Sequence, residues 1–237
     1  MNRPPRHPAC CTPLQDHWPL PFALSGVRLL STRFDPDRLD PEDLVRWGIP
    51  PMKAVNKRQT EFLAGRICAY EALRTTTGVP SIVAVGEDRA PCWPSGVVGS
   101  ITHGAGWAAV VAARSEQWRG LGLDVERLLP AARAERLAEE ILTPWELQRW
   151  AELDETQRAL RVTLTFSIKE SLFKALYPLV KTRFYFQEAE LIHQGADGRA
   201  RLRLLNDLSD EWKTGTELDG QFAQFEDYVL SLVGVPV

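Results

Sequence analysis

The chain has 237 residues, 44% hydrophobic and 25% charged, a balance that excludes disorder, collagen and coiled coil and leaves enough apolar residues for a sizeable core. Twenty-eight Lys and Arg against 31 Asp and Glu give a net charge of -3, which argues against a nonspecific nucleic-acid binder driven by counterion release. The charge is uneven: residues 1–123 carry 14 basic and 11 acidic side chains, residues 124–237 carry 14 and 20. A basic half before an acidic half suits a ligand with several phosphates and a divalent cation, and a surface with no function could show it too.

The length predicts one large domain or two halves of about 115 to 120 residues. Residues 1–24 are rich in Pro and read as an irregular surface arm, with no apolar helix of the kind a signal peptide needs. Four cysteines, Cys10, Cys11, Cys68 and Cys92, show no C-x-x-C spacing, so free thiols in a reducing cytoplasm are expected. No apolar stretch approaches a membrane span. From Arg58 to about Thr76, Phe62, Leu63, Ile67, Tyr70 and Leu73 recur at helical spacing, with Arg58, Glu61 and Arg66 on the polar face and Gly78 and Pro80 as the stop. VVGSI, WAAVVAA and GLGLDVE then read as three short strands in the middle of one sheet. A helix is expected over residues 131–142, and Thr143-Pro144-Trp145-Glu146 is a helix start, with Thr as N-cap and Glu three residues on. The next helix runs from about Arg158 to Tyr177, where Pro178 helps to stop it. AELIHQ and RARLRLL flank the turn Gly195–Gly198, and YVLSLVGV closes the chain as a strand.

Period-two alternation in GLGLDVE puts Gly122, Asp124 and Glu126 on one face and Leu121, Leu123 and Val125 on the other. Two neighbouring carboxylates call for a cation or a basic partner, unless they are simply a solvated strand end. Glu170 and Lys174 lie four apart on a helix that also carries Lys169, which predicts a polar stripe on a half-buried helix or an ordinary surface pair. Arg58 and Arg66, about 12 Å apart along a helix and roughly 80° around it, could grip two parts of one elongated anion or lie on a solvated face. His103, between GSIT and a Gly-rich turn, belongs at a strand end, where a ligand role and a structural one both remain open. Ser100 lacks the second Gly of a nucleophile elbow, and neither a P-loop nor a dinucleotide fingerprint is present.

Four segments in this order, KRQTEFLAGR, PCWPSGVVGSITH, GLGLDVE and FSIKESLFKAL, resemble the 4'-phosphopantetheinyl transferases of the surfactin/enterobactin type, over Lys57 to Leu176. The resemblance implies an α+β fold of two similar halves related by a pseudo-two-fold axis, with the active site and coenzyme A in the cleft between them. It divides the chain into the arm (1–24), an N-terminal half (25–118) binding coenzyme A phosphates, and a C-terminal half (119–237) with the metal carboxylates and catalytic helix. It further implies that Asp124, Glu126 and Glu170 hold Mg2+, that Arg58, Arg66, Arg89, Thr102, His103, Lys169 and Lys174 contact coenzyme A, and that Glu170 is the base while Lys174 stabilises the leaving phosphate. The expected reaction is transfer of 4'-phosphopantetheine from coenzyme A to a serine of acyl, peptidyl or aryl carrier proteins, by a cytoplasmic monomer that needs neither nucleic acid nor membrane. Two departures stand out: Thr102 replaces the Ser that many relatives place before His103, and Arg89 lies one residue from where they often have Lys. Two rival readings are a metal-dependent phosphodiesterase or nuclease, and a non-catalytic carrier-protein or coenzyme A binding module.

Overall fold

A computed structural model of the chain describes residues 6–50 and 52–237, and it has an α+β architecture of two compact units. One unit comprises the described residues of Met1–His17 together with Ser25–Ser115; the other comprises Trp18–Leu24 and Glu116–Val237. Among the described residues no helix is long and apolar enough to cross a membrane, and all four cysteines are free thiols.

The first unit carries β1 (Gln15–Asp16), β2 (Arg28–Arg33), α1 (Pro41–Arg46), α2 (Asn56–Thr77), the two-residue strands β3 (Ala84–Val85) and β4 (Pro91–Cys92), β5 (Val97–Gly104) and β6 (Trp107–Arg114). Its main sheet is antiparallel in the order β1-β2-β6-β5. The β5–β6 hairpin closes on Ala105 and Gly106, with φ of 47° and 84°, the two positive values that a tight hairpin turn matched to strand twist requires. α2 crosses this sheet, burying Cys68, Ala69, Ala72 and Leu73 against Leu30, Val97, Val110 and Ala112. Left-handed Gly78 ends α2, its N–H returning to the Arg74 carbonyl.

The second unit carries β7 (Trp118–Arg127), α3 (Ala131–Ile141), α4 (Pro144–Ala151), α5 (Glu155–Val180), β8 (Ala189–Gln194), β9 (Arg199–Leu204), β10 (Glu217–Phe225) and β11 (Tyr228–Pro236). Its antiparallel sheet has the order β7-β11-β10-β9-β8, and α5 lies across it, burying Ile168, Leu172, Ala175 and Leu176. Each unit thus has the same plan, a long helix packed on an antiparallel sheet, which makes the two halves similar as expected.

The structure departs from the sequence reading at four places. The GLGLDVE strand does not join the sheet of VVGSI and WAAVVAA; it pairs with the last strand, Asp124 facing Ser231, because the partner that satisfies its backbone lies over a hundred residues downstream. Pro178 sits inside α5, where its missing N–H removes a single bond near the C-terminus, and Lys181, with φ 53°, makes the stop. β2 and β10 fall in stretches not read as strands. The expected surface arm, without regular structure over most of residues 6–24, is packed down: Cys10, Cys11 and Leu20 are buried, Cys11 bridges Phe34, β1 pairs with β2, and the side chain of Gln221, buried in the second unit, accepts from Phe22 N at 2.9 Å and donates to Phe22 O at 2.7 Å. Residues 1–5 of that arm lie outside the described residues.

Candidate functional site

Two glycines of β7 build the second unit's candidate site. A Cβ on Gly122 would stand 1.8 Å from the Ser171 carbonyl oxygen, and one on Gly120 would stand 2.3 Å from that of Ala175. The backbone of α5 therefore lies directly on β7, as only glycine permits. The facing stripe of α5 is small: Ser167 and Ser171 both reach Ser231 on β11, their Oγ atoms each 2.8 Å from Ser231 Oγ. Since Gly120, Gly122, Asp124 and Glu126 share one face of the strand, this close approach brings both carboxylates against α5. Lys174 Nζ donates to Asp124 Oδ1 at 2.6 Å and to the Leu123 carbonyl at 3.2 Å. Asp124 is 4% exposed, so a solvated strand end is excluded.

Burial pushes the Glu126 carboxyl up to about 7, reinforced by the charge of Asp124 and to a smaller degree that of Glu170, with Lys174 opposing. Burial also raises Glu170, which Lys174 opposes and Asp124 reinforces. Three acidic groups and one lysine thus share a half-buried, electrostatically coupled site with an excess of negative charge. Among the described residues no three His, Cys, Asp or Glu side chains converge into a ready-made metal cluster. The fit to a divalent ion is one of charge and donor type: oxygen donors in excess of their cations, suited to an ion held by a few carboxylates and completed by phosphate and water.

Lys169, expected at coenzyme A, has a different place. It is 2% exposed, and its Nζ donates to Glu146 Oε2 at 2.6 Å and to the Ile141 carbonyl at 2.9 Å. Glu146 also accepts from Thr143 N at 2.7 Å, completing the capping box of α4, and from Leu191 N on β8 at 2.6 Å. Burial pulls the Lys169 ammonium down while Glu146 holds it up. Glu146 is where the sequence placed a cap, but nothing local shows that the same carboxylate binds a lysine 23 residues on.

In the first unit, α2 and the end of β5 bring Arg58, Glu61 and His103 together. Arg58 Nη1 lies 3.1 Å from His103 Nε2 and 3.4 Å from Glu61 Oε2, and His103 Nδ1 lies 3.8 Å from that same oxygen. Because a guanidinium only donates, this arrangement makes Nε2 the acceptor and puts the ring proton on Nδ1, facing Glu61. The sequence places Glu61 on the polar face of α2 and gives it no role, because its contact with His103 depends on the packing of α2 against β5. Arg66 is not on a solvated face: it is 6% exposed, its guanidinium stacks on Phe62 at 4.2 Å, and its Nε is buried without a hydrogen bond. Burial, then the charge of Arg58, lowers it to about 10. Such a guanidinium favours an anion. Thr102 is buried and alternates away from His103, whereas Ile101 meets α2 at Gly65; the Thr102 side chain therefore faces away from the Arg58–His103 group. Arg89 stands exposed in the β3–β4 turn with φ 68°.

Comparison with known proteins gives this arrangement a context. Residues 41–113 match the 4'-phosphopantetheinyl transferase N-terminal domain, and residues 120–233 match the 4'-phosphopantetheinyl transferase superfamily. The chain is similar to enterobactin synthase component D of Escherichia coli O157:H7, 41% identical over 163 residues that cover 67% of this chain and 74% of that protein. It is also similar to the 4'-phosphopantetheinyl transferase Svp of Streptomyces mobaraensis, 35% identical over 187 residues, 77% of this chain and 74% of the relative. Among solved structures, the holo-ACP-synthase from Plasmodium yoelii matches 50% of this chain and 94% of its own at 15% identity, with a TM-score of 0.40. On the two family matches and the identity to these relatives, the chain belongs to the 4'-phosphopantetheinyl transferase superfamily.

Proposed function

We propose that the protein transfers 4'-phosphopantetheine from coenzyme A to a serine hydroxyl of apo acyl, peptidyl or aryl carrier proteins, releasing adenosine 3',5'-bisphosphate and depending on Mg2+. The observation that carries this reading is the β7–α5 site, where Asp124, Glu126 and Glu170 share a half-buried space with Lys174. Asp124, Glu126 and Glu170 would hold the magnesium ion, which when bound supplies charge neutralisation for the pyrophosphate.

The serine oxygen bonds to the phosphorus next to pantetheine, and the phosphorus–oxygen bond to the 5'-phosphate of the nucleotide breaks. Glu170 accepts the serine proton, directly or through water; burial and the Asp124 charge make it more basic than an ordinary carboxylate, as a base near neutral pH requires. Lys174, held by Asp124, stabilises the charge growing on the leaving phosphate. In the N-terminal half, Arg58, His103 and Arg66 bind coenzyme A phosphates, with Arg66 the best prepared because its guanidinium is already desolvated. Arg89 is the outlying member of this cation set. The enzyme works as a cytoplasmic monomer.

The test is to incubate the protein with coenzyme A, Mg2+ and an apo carrier protein and to weigh the carrier. A mass gain of one phosphopantetheine supports the transferase. Cleaved nucleic acid in a parallel incubation without carrier identifies a phosphodiesterase, and binding of coenzyme A with no change in carrier or nucleic acid identifies an inert module.

A further inference from the structure

We propose that Lys169 and Glu146 are positioning residues for the catalytic helix, a buried clamp that fixes where α5 presents Glu170 and Lys174. The inference deepens the transferase reading above and rests on it. Glu146 makes three contacts from three elements: Oε2 receives Thr143 N at the start of α4 and Lys169 Nζ from α5, and Oε1 receives Leu191 N from β8. Lys169 Nζ adds the Ile141 carbonyl at the end of α3. The four elements are tied through one carboxylate and one ammonium, both almost fully buried. Thr143 extends the tie, its hydroxyl donating to Glu190 Oε1 on β8 at 2.8 Å.

The place of this clamp in the sequence gives it leverage. Lys169 immediately precedes Glu170, so successive side chains on α5 point about 100° apart: one into the α3–α4–β8 junction, the other toward the β7 carboxylates. On the sheet side α5 rests on Gly120 and Gly122 of β7 and is tied to β11 by the Ser167 and Ser171 hydroxyls on Ser231, all along one flank of the helix. The charged clamp adds a directional constraint from a different side of the helix, because an ammonium between a carboxylate and a carbonyl tolerates little displacement. Shortening the pair or removing its charge would leave α5 helical and packed, yet free to shift relative to Asp124, and a displacement of about 1 Å in reacting groups can cost on the order of 100-fold in rate.

The experiment uses the full chain with Lys169→Met, Glu146→Gln and the double variant. The double variant removes both charges together and so keeps the test alive if either single variant fails to fold. Transfer kinetics with coenzyme A, Mg2+ and an apo carrier are measured on folded protein, alongside hydrogen exchange of the α5 backbone. The expected result is a fall in kcat of about 10- to 100-fold with KM for coenzyme A within about twofold, and faster exchange over Ser167–Lys174 with α2 unchanged. A raised KM with kcat intact would make Lys169 a direct coenzyme contact and overturn the proposal. Unchanged kcat per folded molecule would reduce the pair to plain stability and overturn it equally. If the wild-type chain transfers nothing, the transferase reading fails by itself; the clamp is then judged by exchange alone, and unchanged α5 protection in the double variant refutes it.

Discussion

Gly122→Ala is the perturbation on which the site geometry depends most directly. The added Cβ would meet the Ser171 carbonyl oxygen at 1.8 Å, the Ala175 amide nitrogen at 2.7 Å and the Ser171 carbonyl carbon at 2.8 Å, all backbone atoms of α5 that cannot rotate away. Reaching even 3.0 Å requires α5 to retreat by about 1.2 Å from β7. Overpacking of this kind costs about 3 kcal/mol or more, which for a chain of this size lowers Tm by roughly 6–12 °C. Glu170 and Lys174 retreat with the helix, so kcat falls by about 100-fold even where the fold survives. Gly220→Ala is the matched control, because its new Cβ would stand 3.0 Å from Ile168 Cδ1 and 3.2 Å from the Leu232 carbonyl oxygen, contacts that a shift of a few tenths of an ångström relieves. Thermal melts and carrier-transfer kinetics on both variants decide the matter. A Gly122→Ala enzyme with wild-type kcat, and a Tm no lower than that of Gly220→Ala, would refute the direct seating of α5 on β7.

Asp124→Ala should lower transfer by more than about 100-fold while changing Tm by only a few degrees, since relief of its repulsion with Glu126 and Glu170 offsets the lost ion pair with Lys174; normal turnover at saturating Mg2+ would defeat the metal assignment. Glu126 predicts a pH signature: below about 4.5 it is protonated folded or unfolded, and between 4.5 and about 7 the unfolded chain ionises first, so stability of the metal-free protein falls as pH rises through that window. Saturating Mg2+ should reverse that slope, and melts that do not depend on pH between 4.5 and 7 would contradict the coupling. Arg66→Met should leave Tm unchanged or raise it by up to about 4 °C, because a buried guanidinium is costly, while raising KM for coenzyme A about tenfold or more. A destabilised variant with unchanged KM would show that Arg66 serves the fold instead. Arg133 and Arg136 stand exposed on α3, in the segment that follows the Asp124–Glu126 strand, and offer positive charge to an acidic carrier; docking there predicts transfer to more than one carrier class, with rates falling as salt rises, and an unchanged carrier KM in Arg133→Glu and Arg136→Glu removes α3 from the docking surface.

What the sequence determined by itself was local or periodic. The capping box at Thr143 and Glu146, the left-handed Gly78 stop, the hairpin after His103 and the shared face of Asp124 and Glu126 all follow from residues within a few positions of one another. The ordered motifs added the family, because four short patterns in one order carry more information than any one of them. Tertiary structure decided everything that depended on a distant partner. Nothing within GLGLDVE says that its strand pairs with β11 rather than β6, that its two glycines exist to admit α5, or that Asp124 meets Lys174 fifty residues later. Lys169 and Lys174 look alike in sequence, five apart on one helix. Their fates diverge because 500° of helical rotation turns one into the α3–α4–β8 junction, where Glu146 waits, and the other toward the strand that carries the carboxylates.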